Sequence, residues 1–199
     1  MNNIKFYINK YSHTECLDFD TSFIPMLMRR KLNSLGKVGL YTLNNVYEDG
    51  KHYKTVFASS YGDVERISKL IEQRIEDGEI SPAGFSFSVH NATIGLFSLL
   101  NGNKSSYDSI SAGDNTIQNS LIDAILLSEI SPVLYCYAET YGGVKSISLS
   151  ISKNNSGFEV EYIKKDTFDN IIDNYDKLVD FIEGKSDIYE TGMYILKRS

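Results

Sequence analysis

Short apolar runs and amphipathic stretches alternate along the whole chain. Apolar residues recurring at i, i+3, i+4 and i+7 predict helices, whereas strict alternation or a compact apolar run predicts strands. The pattern predicts strands at 4–8, 55–58, 106–111, 132–137, 146–152 and 158–163, an extended segment at 85–89, and helices at about 25–47, 63–75, 91–102, 117–125 and 168–182. This order is typical of an α/β fold with a mixed sheet and helices on its faces.

The C-terminal part of the chain differs in character from the rest. Serines alternate with Ile147, Leu149 and Ile151, a polar turn follows at 154–157, and an alternating apolar segment returns at 158–163. Two such segments joined by a short polar turn are typical of a β-hairpin. We therefore expect one domain of residues 1–199, in which residues 145–199 form a hairpin-plus-helix element.

Composition and charge narrow the classes of function. The 199 residues are 42% hydrophobic and 23% charged, which is ordinary for a globular protein. The formal net charge of −6 is spread along the chain, so there is no basic face for nucleic acid. No apolar run approaches the ~18 residues of a membrane span, and the N-terminus lacks a secretory pattern. We expect a cytoplasmic protein that binds no nucleic acid and has no membrane span.

Cysteines and histidines are too dispersed to indicate a metal site. Cys16 and Cys136 lie far apart, which fits neither a disulfide framework nor a metal-binding spacing. His13, His52 and His90 do not share a helical face. Because phosphate-binding glycine motifs are also missing, we expect neither a metal nor a cofactor.

The segment 106–121 reads as a short strand, a sharp turn and a helix start, with Asp114 in the turn. Several enzyme classes present a nucleophile in this way, because the helix N-terminus stabilises negative charge. A carboxylate at a helix start can instead cap the free N–H groups of residues 115–117, which is worth roughly 0.5–2 kcal/mol. We expect Asp114 to be such a cap. Ser59 lies in a second strand-to-helix turn, but no Gly-x-Ser-x-Gly elbow surrounds it.

Four segments of the chain, at residues 26–32, 56–63, 81–92 and 111–116, resemble a known family. They are similar to the N-terminal half of β-ketoacyl synthases, which have the thiolase-like fold, and above all to the short stand-alone ketosynthase-like proteins called chain length factors. Ser-Val-His-Asn at 88–91 is the most specific stretch. The resemblance spans residues 26–138 approximately and implies a half-thiolase mixed β-sheet flanked by helices.

The resemblance places Asp114 where an active ketosynthase has its acyl-accepting cysteine. The two histidines of a condensing site would belong to a C-terminal half that residues 1–199 do not include. The resemblance therefore implies a catalytically inactive chain length factor that pairs with a full-length β-ketoacyl synthase and shapes its acyl tunnel. The setting would be fatty-acid, polyketide or aryl polyene biosynthesis of type II, with an acyl carrier protein as indirect partner. By the same resemblance, the strand at 106–111 pairs edge to edge with the partner.

A set of residues follows from this expectation as candidates for the interface or the acyl tunnel. They are Met26, Met28, Phe85, Phe87, Ser88, His90, Asn91, Phe97, Tyr107, Ser109, Ser111 and Asp114. Ordinary core packing of the Met and Phe residues and a structural role for His90 remain open at this stage. Two other functions also remain open: an acyl-transfer or hydrolytic enzyme using Asp114 or Ser59 with His90, and a homodimeric acyl-binding module.

Overall fold

The computed structural model describes residues 4–154, 157–172 and 174–199. The predicted turn at 154–157 lies partly outside these residues. Eight strands and seven α-helices are formed by the described residues. The strands are β1 (Ile4–Thr14), β2 (Lys54–Ala58), β3 (Tyr107–Ile110), β4 (Val133–Glu139), β5 (Lys145–Ser152), β6 (Phe158–Lys164), β7 (Ile188–Glu190) and β8 (Tyr194–Arg198). The helices are α1 (Met26–Arg29), α2 (Ser34–Val46), α3 (Val64–Asp77), α4 (Pro82–Ser86), α5 (Ala92–Asn101), α6 (Thr116–Ser128) and α7 (Tyr175–Ile182).

All eight strands form one sheet in the order β3-β2-β4-β5-β1-β6-β8-β7. Strand β2 runs parallel to β3 and β4, and the other pairings are antiparallel. Every residue of β4 is buried, because helices α6 and α7 cover one face of the sheet and helices α2 and α5 cover the other. The predicted α/β mixed sheet with flanking helices is confirmed.

The predicted C-terminal hairpin is wrong, because strand β1 lies between β5 and β6. Residues 7–14 of β1 pair with β5, with Tyr7 opposite Ser152. Residues 4–8 pair with β6 on the other side of β1, with Ile8 opposite Phe158. Between β5 and β6 the chain passes so close to β1 that a Cβ at Gly157 would lie 1.9 Å from the carbonyl oxygen of Ile8. The sequence predicted that β1 ends at residue 8. A strand that short does not extend far enough to pair with both β5 and β6.

The predicted helical stretch at 25–47 is interrupted before residue 34. Asn33 adopts an extended conformation and precedes helix α2. Its side chain bonds to the Asp63 carboxylate at 3.1 Å and to the Arg66 guanidinium at 3.1 Å, both at the start of helix α3. These long-range contacts hold the backbone of Asn33 out of the helical region, which no local pattern could indicate.

Two further elements differ from expectation. The segment 85–89 is not extended, because helix α4 occupies 82–86 and Ser81 Oγ caps it by accepting from the Gly84 N–H at 3.1 Å. Proline at the first helical position after a serine cap is a helix-start signal. The last helix begins at Tyr175 rather than 168, because Asn174 caps it by accepting from the Lys177 N–H at 3.0 Å.

The parallel arrangement of β2, β3 and β4 decides where a site can form. The carboxyl ends of parallel strands meet at one edge of a sheet, and loops there commonly bind ligands. The loops at 59–63, 111–115 and 140–144 follow these three strands. None of the helices in the described residues has the length and apolar character that a membrane-spanning segment requires.

Candidate functional site

The loops after β2, β3 and β4 enclose a recess of about 280 Å³ that opens to the surface. Asp114 contributes from the turn after β3, Ser60 and Tyr61 from the loop after β2, and Glu139 and Tyr141 from the end of β4. The remaining lining residues are Ile117, Tyr137, Gly142, Gly143, Lys145, Ile172 and Tyr175. The predicted nucleophile turn therefore does face a cleft, whose lining is mainly polar and aromatic.

Glu139 holds the loops on two sides of the recess together. Glu139 is buried, with 5% of its surface exposed. One carboxylate oxygen accepts from Ser59 Oγ at 3.1 Å and from the Tyr61 N–H at 3.0 Å. The other accepts from the N–H groups of Thr140 at 3.0 Å and Tyr141 at 3.1 Å. With four hydrogen bonds satisfied, this buried carboxylate fixes the shape of the recess.

Asp114 does not cap the helix that follows it, so that expectation is wrong. A single 3₁₀ turn covers Gly113–Asn115, and helix α6 begins after it. Asn115 precedes the helix without a side-chain cap, and Thr116 fixes the turn instead, because its Oγ accepts from the Ala112 N–H at 2.9 Å and donates to the Gly113 carbonyl at 2.7 Å. Among the described contacts the Asp114 carboxylate takes part in no hydrogen bond, and it is exposed at the recess.

Tyrosine rings and one lysine form the rest of the wall. Tyr61 and Tyr141 contact each other with ring centroids 4.9 Å apart. Lys145 Nζ lies 5.1 Å from the centre of the Tyr175 ring and 3.2 Å from the Asp176 carboxylate. Burial raises the pKa of the Tyr175 hydroxyl, which donates to the Ser146 carbonyl at 2.9 Å. In this wall the described groups include carboxylates and phenols, but no thiol.

Neither cysteine can serve the recess. The Cys136 side chain points to the opposite face of the sheet, where its Sγ lies 3.8 Å from the Gly39 carbonyl. Full burial raises the pKa of the Cys136 thiol to about 11, so the thiol is protonated at neutral pH. Cys16 lies exposed in the loop after β1, with its backbone N–H bonded to Thr14 Oγ.

Ser59 and His90 do not form a catalytic pair. Ser59 is buried, and its Oγ both donates to Glu139 and accepts from the Gly62 N–H at 2.8 Å. His90 Nε2 instead bonds the Ile110 carbonyl at the end of β3, at 3.1 Å. Burial lowers the pKa of His90, so the ring is neutral and its Nε2–H is the donor to that carbonyl. His90 thus ties the start of helix α5 to strand β3.

The other candidate residues from the sequence are spread over the surface and the core. Phe97 is 0% exposed in the core beside helix α2, so it cannot lie at an interface. Phe87 and Met28 are partly buried against the same core, and the Phe87 ring lies 5.4 Å from Lys31 Nζ.

Phe85 and Met26 are exposed on helices α4 and α1. Ser88 Oγ donates to the Phe85 carbonyl at 2.8 Å, and Asn91 is exposed before helix α5. None of these seven side chains lines the recess.

Strand β3 is an edge of the sheet, as the resemblance implied. It pairs with β2, and in the described residues no strand pairs with its other side. Ile110 packs against the α6 face, whereas Tyr107 lies on the α5 side. Ser111 Oγ donates to the Ser60 carbonyl at 2.9 Å and joins the strand end to the recess loop. Ser109 Oγ is buried without a partner among the described residues.

Sequence reasoning missed Glu139 and Thr116. Glu139 ends a run of buried strand residues and precedes a Thr-Tyr-Gly-Gly loop, so a carboxylate at a strand end was a usable signal. Thr116 was a usable signal too, because threonine hydroxyls commonly bond nearby backbone groups in turns. In the part of the chain that the structure describes, no three His, Cys, Asp or Glu side chains are grouped as metal ligands would be.

Comparison with known proteins agrees with this geometry. A family model described as "Beta-ketoacyl synthase, N-terminal domain" matches residues 8–141. No protein of curated function matches the sequence.

The fold is similar to several solved structures. One is the ketosynthase ApeO in complex with its chain length factor ApeC from Xenorhabdus doucetiae, with a TM-score of 0.77 and 15% identity over 98% of this chain and 100% of that chain. The ishigamide ketosynthase/chain length factor has a TM-score of 0.64 and 10% identity over 80% of this chain and 66% of that chain.

A third is AntDE:AntF, a type II polyketide synthase acyl carrier protein in complex with its ketosynthase bound to the hexaketide. Its TM-score is 0.60 at 12% identity, over 81% of this chain and 69% of that chain. Identities this low establish a shared fold alone, and the predicted thiolase-like fold is confirmed.

Proposed function

Because the chain belongs to the β-ketoacyl synthase N-terminal domain family, we propose that it is a non-catalytic subunit that pairs with an active ketosynthase, in the manner of a chain length factor. One combined observation supports this most directly. The strand-turn-helix that presents a nucleophile in the family here leads into a recess without a described thiol, while no other described strand pairs with the outer side of the strand before the turn.

The chemistry of the recess argues against condensation by this chain alone. Claisen condensation needs an acyl thioester on a good leaving thiolate, together with donors that stabilise an enolate. An acyl group on Asp114 would be a mixed anhydride, which water entering the open recess would hydrolyse. The hydroxyl of Ser59 is buried and bonded to Glu139, so it is not a free nucleophile either. These points weaken the alternative of an acyl-transfer or hydrolytic enzyme.

The free edge of β3 supports pairing with another sheet. An unpaired strand exposes a row of N–H and C=O groups that a second strand can satisfy. Thr55 N–H bonds the Ser106 carbonyl and Ser59 N–H bonds the Ile110 carbonyl, so residues 106, 108 and 110 direct their backbone groups toward β2. The backbone groups of Tyr107 and Ser109 therefore point outward, where a partner strand would bind.

The partner in this proposal is a full-length ketosynthase. Two of the similar structures are described as ketosynthase with chain length factor, and the third contains an acyl carrier protein with its ketosynthase. Carried to this chain, that implies a heterodimer in fatty-acid, polyketide or aryl polyene synthesis of type II. The subunit would contribute to the wall of the acyl tunnel. With its net charge of −6, the chain is unsuited to bind acidic carrier proteins directly, so the ketosynthase would do so.

Coexpression with a full-length ketosynthase from the same organism tests this proposal. We expect a 1:1 complex by size-exclusion chromatography with light scattering, and condensing activity that survives Asp114→Ala in this chain. If the isolated chain condenses or hydrolyses acyl thioesters, and Asp114→Ala abolishes that reaction, the proposal is wrong. If the chain forms only a folded homodimer that binds acyl groups, a homodimeric acyl-binding module replaces the proposed function.

Edge pairing has its own test. Ser109→Pro removes an outward N–H and leaves the hydrogen bonds between β3 and β2 intact, and proline is tolerated on edge strands. We expect this variant to fold but to lose the partner. Asp108→Pro is the matched control, because it removes an N–H directed toward β2 and should lower the thermal stability of the isolated chain. A Ser109→Pro variant that still forms the complex would exclude pairing through this edge.

A further inference from the structure

Helix α5 and the start of strand β3 form a shallow apolar depression of about 480 Å³ beside the free sheet edge. Its walls include Gly95, Ser98 and Leu99 from the helix and Tyr107 from the strand. Leu99 is 72% exposed and Tyr107 is 37% exposed. A Cβ at Gly95 would lie 3.5 Å from the Tyr107 hydroxyl, so helix and strand contact each other at the floor of the depression.

The periodicity of helix α5 explains this shape. Residues 95, 98, 99 and 102 follow the i, i+3, i+4, i+7 spacing of one helical face. Three of them are glycine or serine, whose small side chains leave the helix surface recessed. Leu99 is the large apolar side chain that projects from this surface. The opposite face of the helix places Ile94 and Phe97 in the core. The fold therefore does not need an apolar side chain at position 99.

The size of the β3 edge shows that pairing needs a further surface. Its four residues span about 13 Å, and with a sheet layer ~10 Å thick they offer on the order of 130 Å². A stable protein interface buries roughly 800 Å² per partner. Most of the contact area must therefore come from surfaces that adjoin the edge, and Tyr107 belongs both to β3 and to the depression.

We propose that this depression is the second part of the pairing surface, and that it accepts an apolar side chain from the ketosynthase surface next to the pairing strand. This proposal rests on the function proposed above. Lys104 at the rim is the one charged residue among the lining residues, so little desolvation of charge opposes an apolar contact. Small residues on the floor let a partner backbone approach closely, as they do between packed helices.

The test compares the affinity of three variants for the same full-length ketosynthase, measured by biolayer interferometry. Leu99→Asp places a charge in the depression, and Gly95→Leu fills it without adding charge. We expect each to weaken the complex at least tenfold, with the circular dichroism and thermal unfolding of the isolated chain retained. Ile188→Asp is the matched control, because Ile188 is 51% exposed on the opposite edge strand β7, and it should bind like the unmodified chain.

The outcomes separate this inference from the proposed function. If the unmodified chain binds and both depression variants bind as tightly, the pairing function stands and the inference is overturned. If the unmodified chain does not bind the ketosynthase, the proposed function fails and the inference fails with it. If the chain instead self-associates and Leu99→Asp dissociates the homodimer in sedimentation velocity, the occupant is a second copy, which also overturns the inference.

Discussion

Glu139→Gln should destabilise the isolated protein, because it disrupts the contacts that hold the recess loops together. The carboxylate of Glu139 accepts four hydrogen bonds, two at each oxygen, from Ser59, Tyr61, Thr140 and Tyr141. Glutamine has the same size, but its amide retains one acceptor oxygen and presents an NH₂ group to the other two donors. The substitution therefore removes two hydrogen bonds. The loop on one side of the recess loses its hydrogen-bond acceptor.

The expected magnitude follows from the number of lost contacts. A hydrogen bond to a charged group contributes about 1.5–3 kcal/mol to stability. Water can reach part of these loops, so we take the lower end for each of the two bonds and expect a loss of about 3 kcal/mol. For a chain of this length, that lowers the Tm by about 6–12 °C.

Urea unfolding followed by circular dichroism measures this change, provided that the m-value is the same for both proteins. Glu65→Gln is the matched control, because Glu65 forms an exposed i,i+4 pair with Lys69 on helix α3 and such pairs contribute little. If Glu139→Gln is as stable as the control, Glu139 does not hold the recess loops in solution.

Three other predictions concern the fold and its titrating groups. Gly157→Ala should lower the Tm strongly, because its Cβ would overlap the backbone of β1, whereas Gly95→Ala should leave the Tm of the isolated chain unchanged or slightly higher. Because burial lowers the pKa of His90 below its usual 6.5, the unfolded chain binds this proton more readily, and stability should fall as the pH drops below 6.5 through the lowered value. His90→Gln should flatten that part of a Tm against pH profile, and an unchanged slope would contradict the assignment. A thiol reagent at pH 7 should modify Cys16 rapidly and Cys136 only after unfolding, and rapid reaction of both would refute the burial of Cys136.

Local periodicity predicted the elements whose environment is set by their own sequence. Helix α3 begins where Asp63 was expected to start it, with its carboxylate accepting from the Arg66 N–H at 3.1 Å. Strand β4 reads as a continuous apolar run because helices cover both faces of the sheet around it. In both cases the residues that define the element are neighbours in the sequence.

The features that the sequence did not predict depend on distant parts of the chain. The position of β1 between β5 and β6 is set by the pairing of residues about 140 positions apart, such as Tyr7 with Ser152. Helix α5 is apolar on two faces, so periodicity alone could not distinguish buried Phe97 from exposed Leu99. Phe97, an interface candidate from the sequence, is buried, whereas Leu99 is exposed on the surface beside the sheet edge.

The turn at 111–115 is likewise held by contacts with other parts of the chain. Thr116 Oγ accepts from the Ala112 N–H within the turn, His90 bonds the carbonyl at the end of β3, and Ser111 bonds the loop after β2. Across the recess, Glu139 holds the neighbouring loops. None of these contacts uses the side chain of residue 114, so an aspartate there leaves the fold intact. The turn would therefore keep its shape with either a thiol or a carboxylate at position 114, and the strand before it would keep the edge through which we propose that the chain pairs.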